Sequence, residues 1–327
     1  MSDVSVLINP YAERGIIRDP QNFFGRDREL ARIFNWLAGM QNISVVGARR
    51  IGKSSLLYYI SQAGQQRLGE EYTVQYLDLQ LMLSANEFYE RACELLDTKG
   101  GTHLDFRRAL KGKRVVLCLD EFEQTIDNEA FGEGFFSILR GLAQTGELAL
   151  VLATQHTLPE LQPNLPTSPF FNIFTTLRLG PLTKTEAIQL VTRPIERAGK
   201  SFGEAEVDFI LRIAGTHPFR LNIACSLVYE AKLSGQVDFT LLRRRFDEEI
   251  TNGKPYRPQQ YEKTVWSKWT GTVWAAALAL TSILITWLSV QVNNAIGLFM
   301  SAGLAIVALW LFLKDSLPAL RSHGNSQ

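Results

Sequence analysis

The sequence predicts a three-layer α/β domain with a parallel sheet, followed by a small all-α domain and an apolar helical hairpin. Three observations support this order. Short apolar runs alternate with helical periodicity over residues 1–180, only helical periodicity continues to about residue 251, and residues 269–313 contain no Asp, Glu, Lys or Arg. Strands that are separated by helices pair in parallel and are covered by helices on both faces, so we expect three layers in the first region.

Five apolar runs are expected to form the strands of the sheet. In chain order they are Ile43–Val46, Thr73–Leu77, Val115–Leu119, Leu148–Ala153 and Thr175–Leu179. Helical periodicity predicts helices between them, from about Ser54, over Asn86–Leu96 and over Phe131–Ala143. Residues 1–180 are therefore assigned to the α/β domain.

The pattern changes after Gly180 and Pro181. Thr183 and Glu186 form a capping box, in which each side chain accepts a hydrogen bond from the backbone of the other residue at the start of a helix. Periodicity predicts four helices, at about 183–198, 204–214, 217–234 and 238–250. Residues 181–252 are therefore predicted to form a helical domain, and the polar, basic segment 253–269 a linker.

The composition argues against several classes of protein. A formal net charge of +1 over 327 residues gives no support for a polyanion partner across the whole surface. Cys93, Cys118 and Cys225 match neither a zinc spacing nor a disulfide framework, so we expect reduced thiols in the core of a protein that faces the cytosol. The N-terminus lacks the basic and then apolar pattern of a signal peptide.

The segment GARRIGKS, residues 47–54, matches the Walker A pattern G-x-x-x-x-G-K-[ST] in full and lies between an apolar strand and a helix, the context that the pattern requires. Glycines let the backbone form a nest of inward N–H groups, and the helix N-terminus adds partial positive charge. We expect Lys53 to contact the β- and γ-phosphates of a nucleotide and Ser54 to bind Mg²⁺. The predicted nucleotide contacts here are Gly47, Ala48, Arg49, Arg50, Ile51, Gly52, Lys53, Ser54 and Ser55.

The second half of the predicted site follows the apolar run Val115–Leu119. A carboxylate at the carboxyl end of a parallel strand faces the ligand crevice, so we expect Asp120 to hold Mg²⁺, directly or through water, as a Walker B aspartate does. Glu121 is expected to orient and deprotonate the attacking water, which makes Glu121 and Lys53 the predicted catalytic residues. A strand between the two motifs, and Glu after Asp, favour a P-loop NTPase of the additional-strand ATPase class. The guanine-reading pattern Asn-Lys-x-Asp is absent from the sequence.

Two further pairs of residues have open interpretations. Thr154 and Gln155 follow a predicted strand and are candidates to sense the γ-phosphate, although an ordinary polar pair at a strand end explains them equally well. Arg49 and Arg50 occupy positions of the Walker A loop whose side chains usually point away from phosphate. We expect them to face acidic groups near 121–123, the helical domain or a neighbouring subunit, and solvated side chains are the alternative.

The segment FFGRDREL, residues 23–30, resembles the F-x-G-R-x-x-E-L box of STAND-type NTPases, archaeal-type ATPases and replication-initiator AAA+ proteins. The resemblance covers about residues 9–250 and implies that the box lies against adenine, so Phe24, Gly25 and Arg26 are predicted nucleotide contacts. The segment AGTHPFRL, residues 214–221, resembles the G-G-x-P element in the helical lid of STAND proteins. This second resemblance implies that Pro218 approaches the nucleotide.

The chain departs from the ring-forming AAA+ pattern because it has no clear arginine finger. Arg140 and Arg178 are candidates for a finger, and each is also explained as an ordinary solvated side chain. Arg220 follows Pro218 and is either a lid sensor or a residue that caps or pairs within its own helix. These departures put ring-type AAA+ activity in doubt.

Two segments, 270–290 and 295–313, are each long enough to cross a bilayer as a helix. Five of the six tryptophans lie in this region near the ends of the segments, as in an interfacial belt. Basic residues flank the hairpin on both sides and none lies in its loop, so the positive-inside rule predicts a cytoplasmic N-terminal domain and a cytoplasmic tail, 314–327. A buried soluble hairpin is the alternative, but a soluble helix normally has a polar stripe.

The leading functional hypothesis is a membrane-anchored STAND/AAA-like ATPase with ATP and Mg²⁺ as its ligands. Lid closure on ATP would drive signalling or assembly, so the expected partners are the nucleotide, the lipid bilayer, and a second copy or another protein. One alternative is a DNA-associated, initiator-like ATPase, but acidic residues 247–249 follow the basic run 243–245 and favour a solvated helix face over nucleic acid. Another is a membrane-disrupting effector, as in bacterial defence systems.

Overall fold

A computed structural model describes residues 9–80, 82–126, 128–161 and 170–252, which all belong to one structural unit. The predicted linker 253–269, the two apolar segments and the tail lie outside the described residues. Within the described ranges, no helix is both long and apolar enough to span a bilayer. The membrane hairpin therefore stays a prediction from the sequence.

A parallel sheet of five strands forms the centre of the first domain. The strands are β1 (Asn42–Val46), β2 (Tyr72–Asp78), β3 (Arg114–Asp120), β4 (Leu148–Thr154) and β5 (Phe174–Arg178). Their order across the sheet is β2-β3-β4-β1-β5, and every neighbouring pair is parallel. All five predicted strands are confirmed. Because β4 lies between β1 and β3, it separates the strands that lead into the Walker A loop and Asp120, as the additional-strand class requires.

Helices cover both faces of this sheet. They are α1 (Asp27–Ala38), α2 (Lys53–Leu68), α3 (Ala85–Leu95), α4 (His103–Leu110), α5 (Glu123–Ile126), α6 (Glu133–Ala143) and α7 (Leu158–Leu161). Single 3₁₀ turns occur at Pro20–Asn22, Glu129–Phe131 and Phe171–Ile173. Of these helices, α1, α4 and the short α5 and α7 were not predicted from the sequence. The helix expected over Phe131–Ala143 begins later because Gly132, with ψ 175°, separates a 3₁₀ turn from α6.

Two apolar layers hold the three-layer domain together. On one face of the sheet α1 and α2 bury Ile33 and Leu56, and on the other α3, α4 and α6 bury Phe88, Phe106 and Leu139. Each fully buried side chain of this size stabilises the fold by about 1.5–3 kcal/mol. The cysteines are buried, unbridged thiols, as expected from their spacing.

A helical domain follows, which we call the lid. It consists of α8 (Lys184–Arg197), α9 (Glu204–Ala214), α10 (Pro218–Leu233) and α11 (Phe239–Asn252), so the four predicted helices are confirmed. The predicted capping box is present at the start of α8. The side chain of Thr183 accepts a hydrogen bond from the Glu186 N–H at 3.3 Å, and Glu186 Oε2 accepts one from the Thr183 N–H at 2.8 Å.

The N-terminal segment, residues 9–26, ties the lid to the α/β domain. The buried ring of Tyr11 lies in the lid core, and its hydroxyl donates a hydrogen bond to the carbonyl of Val191. Phe24 packs into the same core. Further along the segment, the Ile17 N–H donates to Ser55 Oγ on α2 at 3.1 Å. The N-terminal segment, which precedes the sheet in the sequence, therefore completes the core of the lid, which follows the sheet.

Candidate functional site

The Walker A loop connects β1 to α2. Its two motif glycines, Gly47 and Gly52, are each required for a different physical reason. Gly52 has φ +99°, in the left-handed region that favours glycine, immediately before Lys53 begins α2. At Gly47, a Cβ atom would lie 2.7 Å from the carbonyl oxygen of Leu179, so a larger residue would displace the backbone that follows β5. Gly47 therefore allows close packing against the segment after β5, and Gly52 allows the turn into α2.

Lys53 bends back over this loop. Its Nζ donates hydrogen bonds to the carbonyl oxygens of Gly47 at 2.8 Å and Ala48 at 3.2 Å. Burial lowers the pKa of Lys53 below its usual range, while the carboxylates of Glu121 and other nearby acids oppose that shift. The loop therefore holds a cation where the nucleotide phosphates are expected.

Asp120 ends β3 and is buried, with 3% of its surface exposed. Its Oδ1 accepts a hydrogen bond from the Glu121 N–H at 3.0 Å, and its Oδ2 accepts one from the Tyr76 hydroxyl at 2.7 Å. A buried carboxylate that keeps lone pairs in reserve suits a hard cation such as Mg²⁺, which takes one or two carboxylates plus substrate phosphates. The hydroxyl of Ser54, in the first turn of α2, supplies a second hard oxygen on the same crevice.

A metal bound here would have few protein ligands. In the described part of the chain, no group of three or more His, Cys, Asp or Glu side chains is arranged to hold a metal ion. The oxygen pair of Asp120 and Ser54 fits Mg²⁺ held jointly with phosphate.

Glu121 and Glu123 differ in what their carboxylates contact. Glu123 Oε1 accepts hydrogen bonds from the backbone N–H groups of Gln155 and His156, and so fastens α5 to the segment after β4. Glu121 has φ +51° and lines the crevice beside Asp120. Partial burial and the Asp120 carboxylate raise the pKa of Glu121, which makes it a better proton acceptor than an ordinary glutamate.

Thr154 and Gln155 both line the crevice, but their side chains are engaged differently. The Thr154 hydroxyl is buried and donates to the carbonyl of His156 at 2.7 Å. The Gln155 amide reaches Glu123 Oε2 at 3.5 Å, a long contact that leaves the side chain at the crevice wall. Of the two candidates, Gln155 is better placed to contact a ligand because the Thr154 hydroxyl already serves the turn.

The FFGRDREL box links three parts of the molecule through Gly25 and Arg26. Gly25 has φ +76°, and a Cβ atom there would lie 2.9 Å from Cβ of Glu186 on α8. The Arg26 N–H donates to Glu186 Oε1 at 2.6 Å. The Arg26 guanidinium, 4% exposed, pairs with Glu29 at 3.2 Å and donates to the carbonyl of Ile51 in the Walker A loop at 3.1 Å. Arg26 thus supports the loop from behind as well as lining the crevice.

Arg50 lies against the lid, which is one of the three surfaces that the sequence predicted for Arg49 and Arg50. Its guanidinium is 4.3 Å from the ring centroid of Phe219, which follows Pro218 at the start of α10. Arg50 has φ +60°, so the backbone of the loop turns its side chain toward the lid at a non-glycine position. Arg49 lines the crevice.

One crevice brings most of the predicted site residues together. They are Phe24, Arg26, Arg49, Arg50, Ile51, Gly52, Lys53, Ser54, Ser55, Asp120, Glu121, Thr154, Gln155 and Pro218. Gly25, Gly47 and Ala48 do not line it, because Gly25 faces α8 and Gly47 packs under Leu179. Among the described residues, Arg140, Arg178 and Arg220 also lie off its lining, and Arg178 and Arg220 are exposed.

Eleven residues of the crevice lining were not predicted from the sequence, and most of them lie opposite the Walker A loop. They are Arg14, Gly15, Ile16, Ile17, Phe23, Glu123, Ala153, Leu182, Leu190, Phe219 and Asn222. The apolar members form a surface suited to a planar aromatic ligand group. The apolar pair Ile16-Ile17, just before the FFGRDREL box, could have indicated a buried contact. No local sequence pattern predicts that this pair folds back onto α2.

Comparison with known families gives a match to one family model. The family is described as Novel STAND NTPase 2, and the match covers residues 102–263. This stretch includes Asp120 and Pro218 but begins after the Walker A loop. None of the curated proteins that were compared matches the chain.

Many solved structures resemble the fold, and three of them are described here. The Walker-type ATPase of Pyrococcus abyssi is 13% identical, covers 94% of this chain and 93% of its own, and has a TM-score of 0.60. The ORC2 protein of Aeropyrum pernix is 14% identical over 88% of this chain and 79% of its own, with a TM-score of 0.55. Domain III of the Thermotoga maritima replication initiation protein DnaA is 19% identical over 71% and 98%, with a TM-score of 0.53. The chain therefore has a P-loop NTPase fold.

Proposed function

We propose that this chain binds ATP with Mg²⁺ in the crevice between the Walker A loop and the lid, hydrolyses it, and uses the nucleotide state to move the lid. One observation carries the proposal. Lys53, Asp120 and Glu121 line the same crevice as Pro218 and Phe219 of α10. A ligand held there would touch both domains at once.

The proposed roles follow from the contacts of each side chain. Lys53 and the backbone N–H groups of the loop hold the phosphates, and Ser54 and Asp120 hold the cation. When bound, Mg²⁺ neutralises charge on the phosphate oxygens. Glu121 accepts the proton of the attacking water, because the other nearby glutamate, Glu123, is already occupied by two backbone N–H groups.

The lid switch is supported by contacts that join the loop to the lid. Arg50 stacks on Phe219, and Arg26 contacts both the Ile51 carbonyl and Glu186 of α8. Phosphate binding that shifts the loop would therefore change the contacts of α8 and α10. A ligand shifts a conformational equilibrium only through such differential contacts.

Membrane anchoring is part of the proposal and rests on the sequence alone. The segment 269–313 carries no charged side chain and is long enough for two spans. The anchored ATPase would signal by assembling with a second copy or with another protein when the lid closes. Dye leakage from liposomes, measured with and without ATP, separates this role from membrane disruption.

A role on DNA is the alternative raised by the initiator folds. The described structure weakens one route to it, because the basic run on α11 is matched by acids. Arg243 lies 2.9 Å from Asp247, and the side chains of Arg244 and Arg245 are within 4 Å of other carboxylates. Filter binding at several salt concentrations tests this alternative, since phosphate contacts give a steep salt dependence.

The proposed chemistry is tested by a matched pair of variants. Glu121→Gln should lower ATP turnover by about 10²–10⁴-fold and leave ATP affinity close to that of the wild type. Glu123→Gln keeps much of its hydrogen bonding to the backbone and should lose less activity. Unchanged turnover in Glu121→Gln would show that Glu121 is not the base, and no turnover in the wild type would contradict hydrolysis itself.

A further inference from the structure

Tyr76 contacts the proposed metal site but belongs to none of its motifs. It lies on β2, one of the two edge strands of the described sheet, where it pairs with Cys118 of β3. Its hydroxyl donates a 2.7 Å hydrogen bond to Oδ2 of Asp120. Neighbouring strands thus bring a tyrosine from outside the sequence motifs onto the buried carboxylate that is expected to hold Mg²⁺.

Packing fixes the position of the Tyr76 ring. The ring lies edge-to-face against Tyr58 of α2, with centroids 5.5 Å apart and planes at 72°. The guanidinium of Arg18 lies 5.6 Å from the centroid of Tyr58 and completes a stack over the helix. Because α2 begins at Lys53, the helix that carries the phosphate-binding lysine also holds the tyrosine in place.

Tyr76 also determines how the Asp120 carboxylate is oriented. One carboxylate oxygen is fixed by the Glu121 N–H and the other by the Tyr76 hydroxyl, so the plane of the group is defined from both sides. In this contact the Tyr76 hydroxyl is the donor and the Asp120 carboxylate is the acceptor. Each oxygen retains lone-pair capacity for a cation or a cation-bound water.

We propose that Tyr76 is a positioning residue that orients Asp120 toward Mg²⁺. The inference rests on the proposed function, since it assigns a role at the same metal site. Groups that hydrogen-bond to a metal ligand fix its direction, and their loss typically weakens metal binding or activity by about 10–100-fold. Tyr76 therefore sets the Mg²⁺ requirement of the site without touching the nucleotide.

The test measures Mg²⁺ affinity at equilibrium, without catalysis. A fluorescent, non-hydrolysable ATP analogue is bound to the full chain in the presence of a chelator, and MgCl₂ is then titrated. Tyr76→Phe should leave the affinity in chelator unchanged and raise the Mg²⁺ concentration for half-maximal enhancement about 10-fold. The matched control is Tyr72→Phe, which removes a hydroxyl from the same strand that donates to the Ala38 carbonyl instead.

The outcomes separate the inference from the proposed function. A Mg²⁺ titration of Tyr76→Phe that coincides with those of the wild type and Tyr72→Phe would overturn the positioning role alone. An equal loss of affinity with and without Mg²⁺ in Tyr76→Phe would also overturn it, because it indicates general damage to the site. If the wild type binds no nucleotide in either condition, the proposed function fails first and the inference with it.

Discussion

The two walls of the crevice are built in opposite ways. The loop wall consists of the Walker A segment 47–55, of which residues 49–55 line the crevice, together with Asp120 and Glu121, so its groups come from two short runs of consecutive residues. The lid wall comes from separated parts of the chain that meet only when it folds, namely residues 14–17 and 23–24, Leu182, Leu190, Pro218, Phe219 and Asn222. The difference teaches that the groups proposed to bind phosphate and metal lie close together in the sequence, whereas the residues opposite them are brought together only by domain packing.

The largest expected effect on ATP binding comes from removing Lys53, the cation of the loop wall. Lys53→Ala should weaken ATP binding by roughly 10- to 100-fold, because a charge-assisted hydrogen bond contributes about 1.5–3 kcal/mol. Isothermal titration calorimetry measures the change, with Lys111→Ala at an exposed position as the control. If the two variants bind ATP equally well, the loop wall does not hold the phosphates.

A second variant disturbs the contact between the FFGRDREL box and helix α8 of the lid. Gly25→Ala would place a Cβ atom 2.9 Å from Glu186 in a backbone with φ +76°. We expect a loss of about 1–3 kcal/mol in the free energy of unfolding, from the left-handed backbone and the close contact. Gly39→Ala is the control, since φ there is −92° and the nearest atom lies at 3.5 Å. Urea denaturation should rank Gly25→Ala as the less stable variant, and the reverse ranking would contradict this packing.

A smaller effect concerns the N-terminal segment inside the lid. Tyr11→Phe removes the hydroxyl that donates to the buried Val191 carbonyl and should cost about 1 kcal/mol of stability. Tyr59→Phe is the comparison, because the Tyr59 ring stacks on Phe23 and the substitution keeps that ring contact. Equal stability of the two variants by denaturant unfolding would show that the hydroxyl of Tyr11 does not anchor the segment.

The smallest expected effect on affinity comes from the contact that joins the walls. Arg50→Ala should change ATP affinity by only a few-fold, since an exposed cation–π contact contributes about 0.5–1 kcal/mol. Its larger consequence should be on coupling, seen as a weaker ATP-dependent protection of α10 from proteolysis. Phe219→Ala should reproduce that loss. An affinity loss as large as that of Lys53→Ala would instead make Arg50 part of the phosphate cradle.

The sequence predicted the elements well because apolar runs and helical periodicity are local signals. It predicted the five strands, the four lid helices and the loop wall, whose contacts come from adjacent residues. It missed α1, α4 and the short helices α5 and α7. It also could not predict that Tyr11 and Phe24 complete the lid core, since that contact joins residues far apart in the chain.

The same limit explains what was missed at the site. Phe219 and Ile17 reach the crevice through domain packing, and Tyr76 reaches Asp120 through strand order. None of these positions carries a motif. Arg26 was expected at the nucleotide, and that contact stays a prediction, while the structure adds its hydrogen bond to the Ile51 carbonyl.

One measurement tests most directly the claim that a nucleotide bridges both walls. Hydrogen–deuterium exchange of the wild-type chain, with and without ATP and Mg²⁺, reports the two walls separately. The account predicts slower exchange in the loop wall, residues 47–55, and also in the lid wall at 14–17 and 218–222. Protection confined to residues 47–55, with the lid wall exchanging as in the nucleotide-free chain, would contradict it.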